Sequence, residues 1–529
     1  MIYTVLITDP ISEDGIQPLQ LHPNIDVVIR NDLTEEELFT IIPNIHALLV
    51  RSQTNITRQL IEKANNLKII ARAGVGVDNI DLTAATAHGI LVVNAPHANT
   101  NSAAEHTIAM LFSLARKIPQ ASISLKQREW NRKAFIGVEL KGKTLGIIGL
   151  GRIGAEVAFR AIGQRMRVMA YDPFLTEEKG EELGILPASL DEVIEQSDFI
   201  TIHTPLLENT KHLLDARAFQ KMKTGVHIIN CARGGIIDEH ALYHAIQTNK
   251  VAGAALDVFQ VEPPFHSNLL DLPEVIATPH LGASTVEAQE NVAVEVSHDI
   301  IRFFTGKVVQ NPVNVSSVPK EAMNQVAPYF TLSERLGQFL IHLADDVVEE
   351  INLFYSGPFT NFEVGPLTRN TIKGILQRHL GEQVNHVNAL YLADQRGIKI
   401  NENKTSSLKG FTNLITIEMI TKQESFRISG TLLDGLGPRI VELNDYQVDI
   451  FPKGNIVLIY HHDLPGVIGK VGNLLGNYQI NIATMQVDRS NLGGEAMMLL
   501  TVDKPLNVEC LHTLKSLTEI YNVKTIQLI

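Results

Sequence analysis

Three residues far apart in the chain, Arg233, Glu262 and His280, carry side chains that together could move a hydride at a hydroxyl-bearing carbon. Oxidising an alcohol means removing the hydroxyl proton as hydride leaves, and an imidazole exchanges protons near neutrality. A carboxylate bonded to the second ring nitrogen fixes the tautomer and stabilises the imidazolium that forms, a part open to Glu262. The guanidinium of Arg233 can clamp a substrate carboxylate through two N–H donors and polarise the C2 oxygen. Each residue follows an apolar strand candidate: His227–Asn230 before Cys231-Ala232-Arg233, Gly253–Asp257 before Val261-Glu262-Pro263-Pro264, and Val275–Thr278 before Pro279-His280. Loops beyond the carboxyl ends of strands rim the ligand crevice of an open α/β sheet. Taken singly, His280 reads equally well as a satisfied loop histidine and Glu262 as a solvated turn acid. Cys231 reads as a small wall residue, since no histidine or metal-ligand spacing would activate it. No metal cluster is visible.

A hydride needs an acceptor, and Lys143 to Asp172 has the layout of half a dinucleotide site. Thr144–Ile148 is an apolar strand, Gly149-Leu150-Gly151-Arg152-Ile153-Gly154 turns it into a helix, and Ile153, Val157 and Ala161 share one helical face. Gly149 makes the tight turn, Gly151 lets backbone N–H groups approach a pyrophosphate, and Gly154 permits close helix–strand packing. The helix N-terminus adds the positive end of a dipole. Asp172, ~20 residues beyond the glycines, can accept from ribose hydroxyls and would repel a 2′-phosphate, which favours NAD over NADP.

Residues 1 to 98 alternate strand and helix candidates without such a glycine turn, a first α/β unit with another task. Its strands lead into Arg51-Ser52 and into Arg72-Ala73-Gly74-Val75-Gly76-Val77-Asp78-Asn79, where two arginines suit a carboxylate or phosphate; solvated surface charges are the competing explanation. Asn99 to Lys117 is a long helix leading into the nucleotide unit. A chain of 529 residues implies several domains, and 45% hydrophobic with 19% charged residues describes a globular protein. Two distant cysteines fit a reducing cytoplasm better than a disulfide framework. The amino-terminal apolar run is too short for a signal peptide, and no stretch approaches a membrane span. A net charge of −13 gives no reason to expect nucleic acid or an anionic membrane as partner.

From 320 to 450, strands (Val347–Phe354, Leu414–Met419) mix with a helix (Thr371–Leu380), and no chemical motif appears. From Asn455 a strand, the loop His461-His462-Asp463-Leu464-Pro465-Gly466, a helix, two strands about Gly493-Gly494, a helix and a final strand spell a βαββαβ ferredoxin-like unit.

The ordered strings ARAGVGVDNID, GIIGLGRIG, HTPL, NCARGGIIDE, GAALDVFQVEPP and TPHLGAST make residues 1 to 311 resemble the D-2-hydroxyacid dehydrogenase family, and the remainder resembles that family's long form. The resemblance implies two Rossmann-like doubly wound lobes, the first flavodoxin-like, then an α+β intervening domain and an ACT domain. It divides the chain into a discontinuous substrate domain (1–98 with 283–314), an NAD domain (99–282), an intervening domain (315–452, opening on the linker Val315–Pro319) and an ACT domain (453–529). It makes Arg233 the substrate-orienting residue and Glu262 with His280 the acid–base dyad. It sets NAD against Val75, Gly149, Gly151, Arg152, Ile153, Gly154, Asp172, Thr204, Cys231, Asp257, His280, Gly282 and Ala283. Substrate falls near Arg51, Ser52, Arg72, Gly74, Val75 and Asn99, with Arg132 reaching in from a neighbouring subunit. Val75 stands where some relatives have threonine, so only a backbone contact carries over.

The implied reaction is NAD-dependent oxidation of 3-phospho-D-glycerate, opening serine biosynthesis in a homo-oligomer, a dimer or tetramer. A glyoxylate or hydroxypyruvate reductase, or a non-catalytic NAD sensor, is the alternative. L-serine as effector would be held by His461, Asp463 and Asn481, unless the ACT domain only joins subunits. Asp463 stands where some relatives have asparagine, exchanging an amide's donor and acceptor for a carboxylate that could pair with an ammonium.

Overall fold

The computed structural model describes residues 2–316, 318–406, 410–489, 491 and 493–528. Strands β1 (Tyr3–Ile7), β2 (Ile25–Ile29), β3 (Ala47–Val50), β4 (Ile69–Arg72) and β5 (Leu91–Asn94) form a parallel sheet in the order β2-β1-β3-β4-β5. That is the flavodoxin-like doubly wound order. The inner strands β3 and β4 are buried on both faces, as their unbroken apolar runs require. Thr34 caps the helix Glu35–Ile41 through a reciprocal bond with Glu37, and Glu35, Glu36 and Glu37 fill its first turn.

A second parallel sheet holds β6 (Thr144–Ile148), β7 (Arg167–Tyr171), β8 (Leu186–Pro187), β9 (Phe199–Ile202), β10 (Val226–Asn230), β11 (Val251–Leu256) and β12 (Val275–Ala277). Its order, β12-β11-β10-β9-β6-β7-β8, reverses direction between β6 and β9. Ligands of open sheets bind at such a switch point. The helix Thr100–Arg116 enters this unit, and the helix Val286–Phe304 leaves it for the first one: its Val292, Val296 and Ile300 lie in one core with Val5, Ile7 and Leu49. Beyond it Asn314 accepts from the Val92 N–H and donates to the Ile90 carbonyl. Ser317, inside the expected linker, lies outside the described residues.

The third sheet contains β13 (Val348–Ser356), β14 (Lys399–Thr405), β15 (Leu414–Thr421), β16 (Ser425–Leu433), β17 (Gly437–Leu443) and β18 (Tyr446–Ile450), ordered β14-β13-β15-β16-β17-β18. The sequence reading found two of these six strands, and the helix Phe330–Leu343 escaped it altogether. The polar edge strand β14, KINENKT, has no apolar face to announce it. The fourth sheet is antiparallel between its neighbours: β19 (Gly454–His462), β20 (Ile482–Arg489), β21 (Glu495–Val502) and β22 (Ile520–Leu528), in the order β20-β21-β19-β22. Along β19 the side chains alternate between two cores, Ile456 and Leu458 joining the third sheet and Val457 and Ile459 packing under the helices Val467–Asn477 and Val508–Lys515. No helix among the described residues is long and apolar enough to cross a membrane.

Candidate active site

Both parallel sheets aim the carboxyl ends of their strands into one cleft of about 770 Å³. From the first sheet it is lined by Arg51, Ser52 and Arg72 to Asn79 excepting Val77; from the second by Arg233, Asp257, Glu262 and the turn Thr278–His280 with Ala283 and Ser284; and by Asn99 from the connecting helix. Residues distant in sequence meet here because every loop leaves a parallel sheet at the same edge.

His280 Nδ1 lies 2.9 Å from Glu262 Oε2, while Glu262 Oε1 accepts from the Phe259 N–H at 3.1 Å. The bond to Glu262 raises His280 above the ordinary histidine value, working against its burial. Burial would raise Glu262, but the bonds from His280 and Phe259 hold it below the usual carboxylate range. This geometry leaves Nε2 as the ring nitrogen available to exchange a proton. His280 has φ +55, a left-handed backbone fixed by its N–H donating to the Asp257 carbonyl at 3.0 Å. The Glu262–Pro263 peptide is cis.

Buried aspartates anchor both halves of the cleft. Asp9, 1% exposed at the end of β1, accepts from the N–H groups of Arg51, Gln53 and Thr54, setting the Arg51 loop. Asp257, also 1% exposed, accepts at Oδ1 from Thr278 Oγ1 (2.6 Å) and the Leu281 N–H (2.7 Å), and at Oδ2 from the Gly282 N–H (2.8 Å). Its burial opposes ionisation, yet the bonds from His106, Thr278 and Leu281 outweigh that and leave its carboxyl below the ordinary value.

Three arginines face this cleft. Burial, followed by the charges of Arg233 and Arg51, pushes Arg72 down to about 10, and its buried Nε has no partner. Arg233 Nε sits 3.3 Å from Asp78 Oδ2, a residue carried in a quoted string but given no part by sequence reading. The Asn230 side chain holds the Arg233 loop, donating to the Arg233 carbonyl and accepting from the Ala232 N–H. Cations so crowded are best satisfied by an anion. The Val75 carbonyl is already taken by Asn94 Nδ2 at 2.6 Å, which leaves its N–H side for a ligand. Asn99 occupies the N-cap of its helix without capping it, and its buried Oδ1 has no partner.

The dinucleotide turn fits its expected occupant. Gly149 has φ +94, and a Cβ there would lie 2.7 Å from the His203 carbonyl oxygen; one on Gly154 would lie 2.2 Å from the Gly149 oxygen. A Cβ on Gly151 would meet nothing within 4 Å, the open side a pyrophosphate requires. The buried Thr204 hydroxyl beside Gly149 has no partner. Asp172, just past β7, accepts from the N–H groups of Leu150 and Phe174, so its carboxylate also ties the turn down while one lone pair per oxygen stays free. Arg152 opens the helix Arg152–Gly163, with Nη1 3.4 Å from the Pro96 carbonyl, and Ile153 packs at its core edge. Burial pushes Cys231 up to about 12, an unreactive thiol as expected of a wall residue. Arg132, on an exposed turn at Arg132–Phe135, does not line the cleft.

The three expected effector residues do not gather in one chain. His461 is 2% exposed, its Nδ1 2.8 Å from the His462 carbonyl oxygen and its Nε2 unpartnered. Asp463 accepts from Arg489 Nη1 and the Gly493 N–H. Asn481 instead donates to Asp503 at the other end of the sheet, where Asn455 pairs with Val502. The length of β19 separates them, about 23 Å over seven residue steps.

Fold and site together define an NAD-dependent dehydrogenase. Family models match residues 108–282 (D-isomer specific 2-hydroxyacid dehydrogenase, NAD binding domain), 325–444 (D-3-phosphoglycerate dehydrogenase intervening domain) and 455–509 (ACT domain). The D-3-phosphoglycerate dehydrogenase of Bacillus subtilis is 46% identical over 528 residues, covering 100% of both chains, and that of Methanocaldococcus jannaschii 43% over 525, covering 99% of each. Among solved structures, D-lactate dehydrogenase from Aquifex aeolicus, complexed with NAD and lactic acid, is 30% identical with a TM-score of 0.53, over 59% of this chain and 100% of that one. The chain belongs to the D-3-phosphoglycerate dehydrogenase family.

Proposed function

We propose that the protein oxidises the C2 hydroxyl of 3-phospho-D-glycerate with NAD, giving 3-phosphohydroxypyruvate in the first step of the phosphorylated route to L-serine. The observation that carries this is a His280–Glu262 pair facing three arginines in one cleft. Arg233 takes the substrate carboxylate, leaving Asp78. Arg51 and Arg72, with Ser52, Asn99 and the Gly74–Val75 backbone, take the phosphate end, and a partner subunit's copy of Arg132 completes that end. His280 Nε2 removes the hydroxyl proton, and Glu262 stabilises the imidazolium. NAD, when bound, supplies the hydride acceptor; Gly149 to Gly154, Asp172, Thr204, Cys231, Asp257, Gly282 and Ala283 hold it. A glyoxylate or hydroxypyruvate reductase would need no third arginine.

The working units are 1–98 with 283–314 for substrate, 99–282 for NAD, 315–452 as the intervening domain and 453–529 as the ACT domain. L-serine binds between two ACT copies, His461 and Asp463 of one meeting Asn481 of the other in a homo-oligomer. The test is NADH formation from NAD and 3-phosphoglycerate, with and without L-serine. Turnover suppressed by serine is expected; absence of turnover despite NAD binding would remove the reading.

A further inference from the structure

The loop that carries His280 hangs on Asp257, and Asp257 in turn is held by a residue with no part in the mechanism above. His106 lies on the helix Thr100–Arg116 with its Nε2 3.2 Å from Asp257 Oδ1 and 3.3 Å from Thr278 Oγ1. The Thr278 hydroxyl donates to the same carboxylate oxygen, so its Oγ1 is free to accept a proton from His106 Nε2, and the imidazole stands at ion-pair distance from the Asp257 carboxylate. The contact belongs to a row on one helix face. Ser102, one turn earlier, donates to the Gly282 carbonyl at 2.9 Å, and Thr107 bonds the Cys231 thiol. One helix thereby braces the end of β10, the end of β11 and the turn after His280.

We infer that His106 is a positioning residue for the acid–base pair: it holds the Asp257 carboxylate on which the His280–Gly282 turn is hung, and shields His280 from that carboxylate's charge. A carboxylate as buried as Asp257 demands compensation. The Leu281 and Gly282 N–H groups and the Thr278 hydroxyl are neutral donors; His106 is the group among its bonding partners that can carry a positive charge. Asp257 is close enough for its charge to act on both His280 and Glu262. The other charges around the pair are Arg233 near His280 and Glu105, which is exposed beside His106 and pairs with Arg160 of the helix Arg152–Gly163. Neither contacts Asp257. Removing the His106 donor therefore frees Asp257 to re-aim the turn and presents His280 with an unshielded negative charge.

This inference rests on His280 as the proton acceptor. The experiment compares full-length wild type, H106F and H106Q, by pH profiles of kcat and kcat/KM for 3-phosphoglycerate oxidation and by NMR titration of His280 with labelled histidine. In H106F, kcat should fall about tenfold, the equivalent of 1.36 kcal/mol at the transition state. The acid limb and the His280 titration should both move to higher pH. H106Q, which restores a neutral donor without charge, should recover most of kcat and keep the shift. An unshifted His280 in a folded H106F overturns the inference, as does an equal loss in H106F and H106Q. If wild type itself fails to turn over 3-phosphoglycerate, the functional reading falls instead, and the titration still decides whether His106 shields His280.

Discussion

The cleft gathers residues distant in sequence, whereas the carboxyl-terminal sheet holds its candidate effector residues apart. In the cleft, Arg233, Glu262 and His280 follow successive parallel strands, and parallel strands release their loops at one edge, so a single chain completes the set. In the carboxyl-terminal sheet, β19 ends at His462 and the helix Val467–Asn477 returns the chain to the far edge before β20 begins. His461 and Asp463 therefore sit at one end and Asn481 at the other, and only a second chain can bring them side by side. The same βαβ step that gathers loops on one edge also guarantees that residues before and after its helix are a strand's length apart. The Arg233, Glu262 and His280 set is complete within one chain, whereas the proposed effector set, like the proposed phosphate contact from Arg132, needs a second chain.

The largest expected effect tests the self-contained half. H280A should lower kcat by about 10²–10⁴ while NAD still binds, and mixing H280A with R233A subunits should restore nothing, since neither chain holds a complete set. Rates measured on such hybrids would refute the single-chain site if activity returned. Next is E262Q, for which about a tenfold to hundredfold fall in kcat is expected, with a displaced pH profile. Glu262 raises His280, so wild-type oxidation, which needs neutral His280, climbs as pH rises through that raised value, while the reverse reduction, which needs the imidazolium, declines. Without the carboxylate the acid limb should move to lower pH; a stationary limb would dissociate Glu262 from the proton transfer.

R72A should raise the KM for 3-phosphoglycerate about tenfold or more, the order of one charge-assisted contact, and steady-state kinetics would show it. The two-chain half is tested by D463A and N481A, each expected to lose inhibition by L-serine. Hybrids of the two should regain part of it, because one of the paired sites is then intact. Hybrids as insensitive as either parent would return the effector site to one chain or another ligand. Smallest is D172A, expected to weaken NAD a few-fold and NADP less, by the worth of one hydrogen bond; equal losses in fluorescence titrations would count against a ribose contact.

What could be read from the residues alone follows the same division. The glycine turn, its strand and Asp172 were legible because each carries a local requirement, and the positive φ of Gly149 and the open side of Gly151 are those requirements in space. Glu262 beside His280 was legible as a chemical need, though its 2.9 Å bond depends on a left-handed backbone at His280 that no residue type announces. Asp9 and His106 were missed because their work is holding other residues, visible only once Arg51 and Asp257 are seen to lean on them. Asp78 was read as part of a string, since its partner Arg233 lies far along the chain. In the third sheet, β14, β16 and β17 lacked clean alternation and could not be separated from loop, whereas β18, YQVDI, alternates strictly and was missed although its five residues carry the strand pattern.

The central claim is that the arginine-lined cleft selects a phosphorylated 2-hydroxy acid. The direct measurement is kcat/KM for NAD-dependent oxidation of 3-phospho-D-glycerate beside that of D-glycerate, which lacks only the phosphate. A preference of about a hundredfold or more for the phosphorylated acid, the worth of two charge-assisted contacts, is the expected result. Equal efficiency on the two acids, or a preference for D-glycerate, would contradict it and leave Arg51 and Arg72 without the anion they are placed to hold.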